Sequence, residues 1–146
     1  MNKIEIQIKE QMRKSFFDLI DDTVNSKNPD YVWITNLYTE IRDRLGKYLN
    51  KNGKTYKNLQ ENFDIDLFHQ MITMNVFDMN SMLKLVNNTF EWILRLQAPI
   101  RDIETEIVKN KILNSEPSKM ISTFIKEVNI CLDNMDDDMQ KCLNEI

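Results

Sequence analysis

Apolar side chains recur every three or four positions along most of the chain, which is the spacing of amphipathic α-helices. In residues 2–26 the positions in this register are Ile4, Ile8, Met12, Phe16, Leu19, Ile20 and Val24. Ile4, Ile6 and Ile8 also alternate as they would in a strand, so the first turn of this segment is ambiguous. The next stripe consists of Ile34, Leu37, Tyr38, Ile41, Leu45, Tyr48 and Leu49. These two stripes predict two helices in the first third of the chain.

Turn and capping residues indicate where the helices begin and end. Asn28 can cap the second helix, and Pro29 suits its first turn. The sequence KNGK at 51–54 is the clearest turn signal in the chain. Asp78 can cap a later helix, and Pro117 fits the first turn of the last one. The boundaries therefore predict short connections between helices.

Further stripes follow the KNGK turn. Their apolar positions are Tyr56, Leu59 and Phe63 in a short helix, Ile65, Phe68, Met71 and Ile72 in the next, Met79, Met82, Leu83, Val86, Phe90, Ile93 and Leu94 in a long helix ending near Gln97, and Ile100, Ile103 and Ile107 in a helix after Pro99. A last helix is predicted from 117 to about 145. The chain has only two glycines and three prolines, whereas sandwiches and barrels need frequent Gly/Pro turns. We therefore predict an all-α fold, a single-domain bundle over residues 1–146 with about six or seven helices and short loops.

The last predicted helix carries a heptad pattern that has two interpretations. Ile121, Ile125, Val128, Leu132, Met135, Met139, Cys142 and Ile146 follow one another in steps of four and three. This pattern fits a coiled coil between two copies, or a helix packed inside its own bundle, because bundle helices cross with the same period. Phe124, Cys131 and Leu143 widen the stripe beyond a coiled-coil seam. Packing within the bundle is therefore favoured, and a homodimer through another exposed face stays open.

Charge and hydropathy argue against two classes of partner. The formal net charge is −4, whereas a nucleic-acid-binding surface requires a basic stripe. The longest apolar runs contain a few residues, far fewer than the roughly 20 that span a bilayer. The N-terminal sequence MNKIEIQIKE alternates charges with isoleucines and contains no signal-peptide core. We therefore expect a cytoplasmic protein that binds neither nucleic acid nor membrane.

Patterns typical of catalytic, cofactor or metal sites do not occur in the sequence. His69 is the single histidine, and there is no GxSxG motif, no glycine-rich phosphate loop and no Cys/His metal spacing. The three aspartates at 136–138 lack the glycine and ligand spacing of a calcium loop, so we interpret them as a solvated helix face. Cys131 and Cys142 would lie about 16 Å apart on one helix, too far for a disulfide. We therefore predict a protein without catalytic activity, cofactor or metal.

A proline interrupts the apolar pattern in the stretch LQAPIRDIETEI at 96–107. Pro99 supplies no N–H and disfavours helical geometry at the preceding residue, so one helix ends and another begins here. Asp102 lies at the new N-terminus, where its charge favours the helix dipole by about 0.3–1 kcal/mol. Arg101 could satisfy the last carbonyls of the preceding helix, pair with a carboxylate such as Glu40, or face a partner. The favoured interpretation is a corner that locks two helices together.

The chain resembles the T-complex protein 11 family over about residues 15–139. The segments that carry the resemblance are SFFDLI, NPDYVWITNLYTEIRDRL, NFDIDLFHQMITMNVFDMNSMLKLVNNTFEWILRLQAPIRD and NICLDNMDDDM. The family signature Cys-Ala-Pro-Val-Arg-Asp-Glu corresponds to residues 97–103, where Gln97 replaces the cysteine and Ile103 replaces the final acidic residue. Members of the family are usually considerably longer, so the chain resembles the N-terminal part of their domain.

The resemblance also selects the candidate residues. The family's Glu-Ile-Arg run corresponds to a segment that contains Glu40 and Arg42, and its signature contains Pro99, Arg101 and Asp102. These five residues are the candidates for a structural or partner-binding motif. The family is helical, has no established catalytic activity and has been linked to cyclic-AMP and protein kinase A signalling, including in sperm. The resemblance therefore implies a non-enzymatic module that acts as a regulator or adaptor through contacts with protein partners.

A second hypothesis comes from a different functional class. The chain could be a structural or assembly protein that self-associates through exposed helix faces, because a shortened fold exposes faces that longer relatives cover. The abundance of Asn, Lys and Ile indicates an AT-rich genome, such as that of a large DNA virus or a protist. A kinase-pathway partner would support the first hypothesis, and a stable homo-oligomer with no other partner would support the second.

Overall fold

The computed structural model describes residues 2–8, 10–11, 18, 21, 31–74 and 77–145. Its six α-helices between residues 31 and 145 are α1 Tyr31–Gly46, α2 Lys54–Asn62, α3 Ile65–Thr73, α4 Met79–Leu96, α5 Asp102–Leu113 and α6 Met120–Asn144. Single 3-10 turns at Pro99–Arg101 and Pro117–Lys119 precede α5 and α6, and residues 3–8 are helical. Since the described residues contain no strand, the predicted all-α bundle with short loops is confirmed. The predicted cap at Asn28, Pro29, and Met12, Phe16, Leu19, Ile20 and Val24 of the first predicted helix lie outside the described residues.

Side-chain caps and a turn set the helix ends. Asp78 accepts a hydrogen bond from the backbone N–H of Ser81 at 2.9 Å and caps α4, as predicted. Asp64 accepts one from the backbone N–H of Leu67 at 3.0 Å and caps α3. Gly53, in the predicted KNGK turn, directly precedes α2. Each cap satisfies a backbone donor that the first turn of a helix leaves without an intrahelical partner.

One cluster of buried apolar side chains contains residues from all six helices. Helix α1 contacts α2, α3, α4 and α6, and α6 also contacts α4 and α5. Aromatic rings fill the core beside α3, where Tyr38 and Phe68 stack with centroids 4.1 Å apart. Phe77 meets Phe68 edge-on at 5.5 Å. The apolar stripes of these helices therefore converge on a shared core, as expected for packed bundle helices.

The heptad stripe of α6 is buried along most of its length. Ile125, Val128, Leu132 and Met135 belong to the core, so the predicted packing inside the bundle is confirmed for this part. The stripe continues into Met139 and Cys142, which are exposed. The last two turns of α6 therefore extend the same apolar pattern beyond the part that the bundle covers.

Of the predicted stripe, Ile103 and Ile107 lie on α5 and Ile100 lies on the 3-10 turn before it, and the three side chains face away from the core. The exposed fractions of these residues are 90%, 79% and 64%, whereas Thr105 and Ile112 form the buried side of α5. Helix α5 therefore has two apolar sides, and only one of them packs against α4 and α6. We name the outward-facing trio the isoleucine ridge.

Candidate functional site

The family-like signature forms a tight corner between α4 and α5. Gln97 ends α4, with its backbone N–H bonded to the Ile93 carbonyl at 2.9 Å. Ala98 is extended, and Pro99 begins the 3-10 turn that leads into α5. This geometry confirms that the proline ends one helix and starts the next, because the residue before a proline avoids the helical region. We name residues 97–105 the signature corner.

Inside the corner, Gln97 holds the start of α5 with both ends of its side-chain amide. Its Nε2 donates to Oδ1 of Asp102 at 2.9 Å, and its Oε1 accepts from the hydroxyl of Thr105 at 2.9 Å. Gln97 is 7% exposed, so these bonds lie where water hardly competes. Asp102 lies in the first turn of α5, as predicted, and bonds the end of the preceding helix as well. The residue that replaces the signature cysteine is therefore a structural link in this chain.

Arg101 connects the signature corner to α6. Its Nε lies 2.6 Å and one terminal nitrogen 2.9 Å from the two carboxylate oxygens of Asp138, and the other terminal nitrogen lies 2.9 Å from Glu104. The two parallel contacts to Asp138 are a bidentate pair, the strongest geometry for an arginine and a carboxylate. Hydrogen bonds from Arg101 lower the pKa of Asp138, and those same bonds raise the pKa of Arg101. The corner is thereby fastened to a helix 37 residues further along the chain.

Both of the partners within the chain that the sequence predicted for Arg101 are wrong. The sequence pointed to Glu40 or to the last carbonyls of α4, but the described contacts of the guanidinium are those with Asp138 and Glu104. Glu40 is exposed on α1, and Arg42 pairs with its neighbour Asp43 at 3.1 Å. The structure therefore brings Pro99, Arg101 and Asp102 together, whereas Glu40 and Arg42 form no hydrogen bond or salt bridge with the corner among the described residues.

A second ionic cluster joins α1 to α6. Arg44 contacts Asp133 at 2.8 Å and Asp136 at 2.9 Å, and Lys47 contacts Asp136 at 2.7 Å. The hydroxyl of Tyr48 also donates to Asp136. Burial opposes ionisation of Asp136, but the hydrogen bonds from Lys47, Tyr48 and Arg44 outweigh it and lower its pKa to about 2. We name this cluster the α1–α6 clamp.

The clamp corrects the interpretation of the aspartates at 136–138 as a solvated helix face. Only Asp137 of the three fits that description, since it is exposed. Asp136 and Asp138 point toward different neighbouring segments and pair with Arg44 and Arg101. Sequence reasoning missed both pairs, although the position of these aspartates beside the buried stripe of α6 was the available signal.

The single histidine lies in a contact between two helices. The ring nitrogen Nδ1 of His69 lies 2.9 Å from the hydroxyl of Thr35, within the contact between α1 and α3. In the described ranges, no group of three or more His, Cys, Asp or Glu side chains could hold a metal ion. Among those same residues, no helix combines the length and apolar character needed to cross a membrane. The signature corner and the isoleucine ridge beside it are thus the main candidate site.

Comparison with known proteins identifies the chain by sequence and not by a solved relative. No solved structure matches it. The model of the family described as T-complex protein 11 matches residues 1–143, which is nearly the whole chain. The match covers α1 to α5, all but the last residue of α6, the signature corner, and Asp136 and Asp138 of α6. The chain therefore belongs to the T-complex protein 11 family.

Proposed function

We propose that this protein is a non-enzymatic helical module that binds a protein partner and acts as a regulator or adaptor in cyclic-AMP/protein kinase A-type signalling. Family membership is consistent with the non-enzymatic role. The pathway is what the resemblance to this family implies. The observation that carries the proposal is the isoleucine ridge, with exposed fractions of 90%, 79% and 64%. A soluble domain that keeps three isoleucines in water at one place loses the stability that their burial would provide, so a binding role explains the ridge better than folding does.

The spacing of the ridge suits a helix that inserts into a partner. Ile100 on the 3-10 turn and Ile103 and Ile107 on α5 have the sequence spacing i, i+3 and i+7, which is the anchor spacing of helices that lie in an apolar groove. Covering an isoleucine side chain contributes about 1.5–3 kcal/mol, so three anchors contribute about 4.5–9 kcal/mol before the cost of association, and further contacts around them must supply the rest of the affinity. The inner side of α5 is already occupied by the bundle, which leaves this outer side available for a partner.

The signature corner gives the ridge a fixed shape. Gln97 and Arg101 hold the first turn of α5 against α4 and α6 through the contacts to Asp102 and Asp138. A surface held in its binding geometry loses less conformational entropy when a partner docks. In this proposal the signature residues therefore act by positioning Ile100 and Ile103, and do not themselves need to touch the partner.

The test is an affinity pulldown from the native host with quantitative mass spectrometry. The wild-type protein is expected to retain a kinase-pathway protein, and Ile103→Ser/Ile107→Ser is expected to lose it. Val32→Ser is the matched control, because Val32 is also an exposed aliphatic residue (62%) but lies on α1. Recovery of the same protein by all three baits, or of copies of the chain alone, would contradict the proposal.

A second candidate function is self-association in a structural or assembly role, such as that of a large DNA virus protein. The exposed end of α6 favours it, because Met139 and Leu143 continue the buried stripe into solvent. Light scattering at increasing concentration is the measurement. A concentration-dependent dimer that Met139→Ser/Leu143→Ser returns to a monomer would support this role. A monomer throughout would exclude self-association through this face.

A further inference from the structure

A groove separate from the isoleucine ridge opens between α2, α3 and α4. Its volume is about 450 Å³. The floor consists of Tyr38, Phe68 and Phe77, whose rings pack on one another, and Leu67 contributes an exposed apolar wall. Volumes of this size accommodate a few bulky side chains. The groove is therefore an apolar depression on a face that the proposed function does not use.

The hydroxyl of Tyr38 provides an unusual polar group at this floor. Tyr38 is 7% exposed, and none of the described side-chain hydrogen bonds involves its hydroxyl. Burial and the nearby charge of Asp64 raise the pKa of Tyr38 to about 12, so the phenol keeps its proton and remains a donor at neutral pH. The hydroxyl is not among the described buried side-chain atoms that lack a partner, so it stays accessible from the groove that Tyr38 lines. A ligand in the groove with an acceptor oxygen can therefore receive a hydrogen bond from Tyr38.

The rim of the groove carries acidic side chains. Glu61 and Asp64 line it, and neither forms a salt bridge with any other described residue. Asp64 caps α3 through Oδ1, which accepts from the backbone N–H of Leu67 at 3.0 Å. Lys84, also a lining residue, is the basic exception on the α4 side. The rim therefore attracts a positive group at the α2–α3 end, where the two carboxylates lie.

We propose that this groove binds a short peptide segment of a partner protein that carries a bulky apolar residue beside a lysine or arginine. The apolar side chain lies on the aromatic floor, the cation lies between Glu61 and Asp64, and a backbone carbonyl accepts from Tyr38. Charge decides against a second copy of the chain as the occupant. Its isoleucine ridge is flanked by Glu104 and Glu106, which would bring like charges to the acidic rim.

The experiment uses two synthetic amphipathic peptides with leucine at positions i, i+3 and i+7. One carries lysine and the other glutamate at the flanking positions. Fluorescence anisotropy measures affinity, and amide chemical shifts locate the binding surface on the full chain. The lysine peptide is expected to bind at the groove, to weaken as salt is added, and to bind more tightly than the glutamate peptide. Equal binding of the two peptides, no binding of either, or shifts centred on α5 would overturn the proposal.

Variants separate the groove from general attraction to an acidic protein. The variant Glu61→Gln/Asp64→Asn removes two negative charges, and the asparagine can still cap α3. It is expected to weaken the binding of the lysine peptide about three- to tenfold. Glu40→Gln/Glu106→Gln removes two exposed charges elsewhere and serves as the matched control. Tyr38→Phe is expected to weaken binding about two- to tenfold without lowering the melting temperature, because the lost hydroxyl takes part in none of the described hydrogen bonds of the fold. Lys84→Gln is expected to tighten binding. An equal loss in the control, or unchanged affinity in the Tyr38 variant, would contradict the assignment.

Discussion

At the scale of single residues, the side chains with the most specific roles are polar groups in contact with two elements at once. Gln97 bonds Asp102 and Thr105 from the end of α4, and Asp136 receives hydrogen bonds from Arg44, Lys47 and Tyr48. A hydrogen bond between such groups adds little to the free energy of unfolding. Removing one partner lowers that free energy by more, because the remaining donor or acceptor is left without a bond.

Gln97→Ala is expected to lower the free energy of unfolding by about 1–3 kcal/mol, because Asp102 and Thr105 both lose a buried partner. Urea denaturation followed by circular dichroism measures the change. Gln140→Ala is the control, since Gln140 is exposed on α6 and should alter stability by less than about 0.5 kcal/mol. Equal stability of the two variants would show that the amide contacts do not hold the corner.

The lowered pKa of Asp136 predicts how the free energy of unfolding changes when the solution is acidified. Its pKa is about 2 in the folded protein, below the ordinary value of about 3.9 for an unfolded chain. A lowered pKa means that the charged form stabilises the fold above about pH 4, and that this stabilisation is lost as the pH falls toward 2. Between these values the free energy of unfolding should fall more steeply for the wild type than for Asp136→Asn. Parallel curves in urea titrations at each pH would refute the role of the clamp.

At the scale of helices, the signature corner works as a junction between three elements. Pro99 sets the break, Gln97 joins α4 to α5, and Arg101 joins the corner to Asp138 on α6. Both members of the Arg101–Asp138 pair are about a quarter exposed, at 24% and 25%, so solvent screens part of their attraction. The bidentate geometry therefore matters more for the orientation of α5 than for total stability.

A double-mutant cycle tests this junction. Arg101→Ala is expected to lower the free energy of unfolding by about 1 kcal/mol, and the coupling with Asp138→Ala should be roughly 0.5–1 kcal/mol. Arg101→Lys should recover only part of the loss, because an ammonium cannot form the paired contacts of a guanidinium. A coupling energy near zero would instead mean that the arginine acts independently of α6.

At the scale of the whole molecule, α6 divides into a part that belongs to the bundle and a part that does not. Met135 is 3% exposed within the shared core, whereas Leu143 is 57% exposed near the end of the same helix. Both are apolar positions of one helix. Whether a turn of α6 is buried therefore depends on which neighbouring helices lie beside it. For this reason one continuous apolar pattern contains both core and surface residues.

Met135→Asp is expected to destabilise the protein by at least about 3 kcal/mol and abolish its cooperative thermal transition, because a carboxylate would be buried without a partner. Leu143→Asp places the same charge on the exposed part of α6 and should leave helicity and melting temperature nearly unchanged. Circular dichroism measures helicity, and light scattering measures mass. A Met135→Asp protein with native helicity and half the wild-type mass would show that the stripe is a dimer contact.

Local signals in the sequence determined the helices and their ends. The cap at Asp78, the break at Pro99 and the stripe through Val128 and Met135 depend on residues within one or two turns, where backbone geometry and hydrogen bonding act. For this reason the all-α fold, the corner and the burial of α6 could be predicted without a structure. Family resemblance, which comes from the order of such segments, was equally readable.

Tertiary packing decided which partner each side chain meets. Arg101 could pair with any carboxylate brought near it, and only the contact of α5 with α6 selects Asp138 over Glu40. The direction of the isoleucine ridge was also undetermined, because α5 is apolar on two sides and only the position of its neighbours decides which side is buried. Burial depends on distant segments that share no local pattern. The groove beside Tyr38 arose in the same way, from three helices meeting where each alone shows an ordinary apolar stripe.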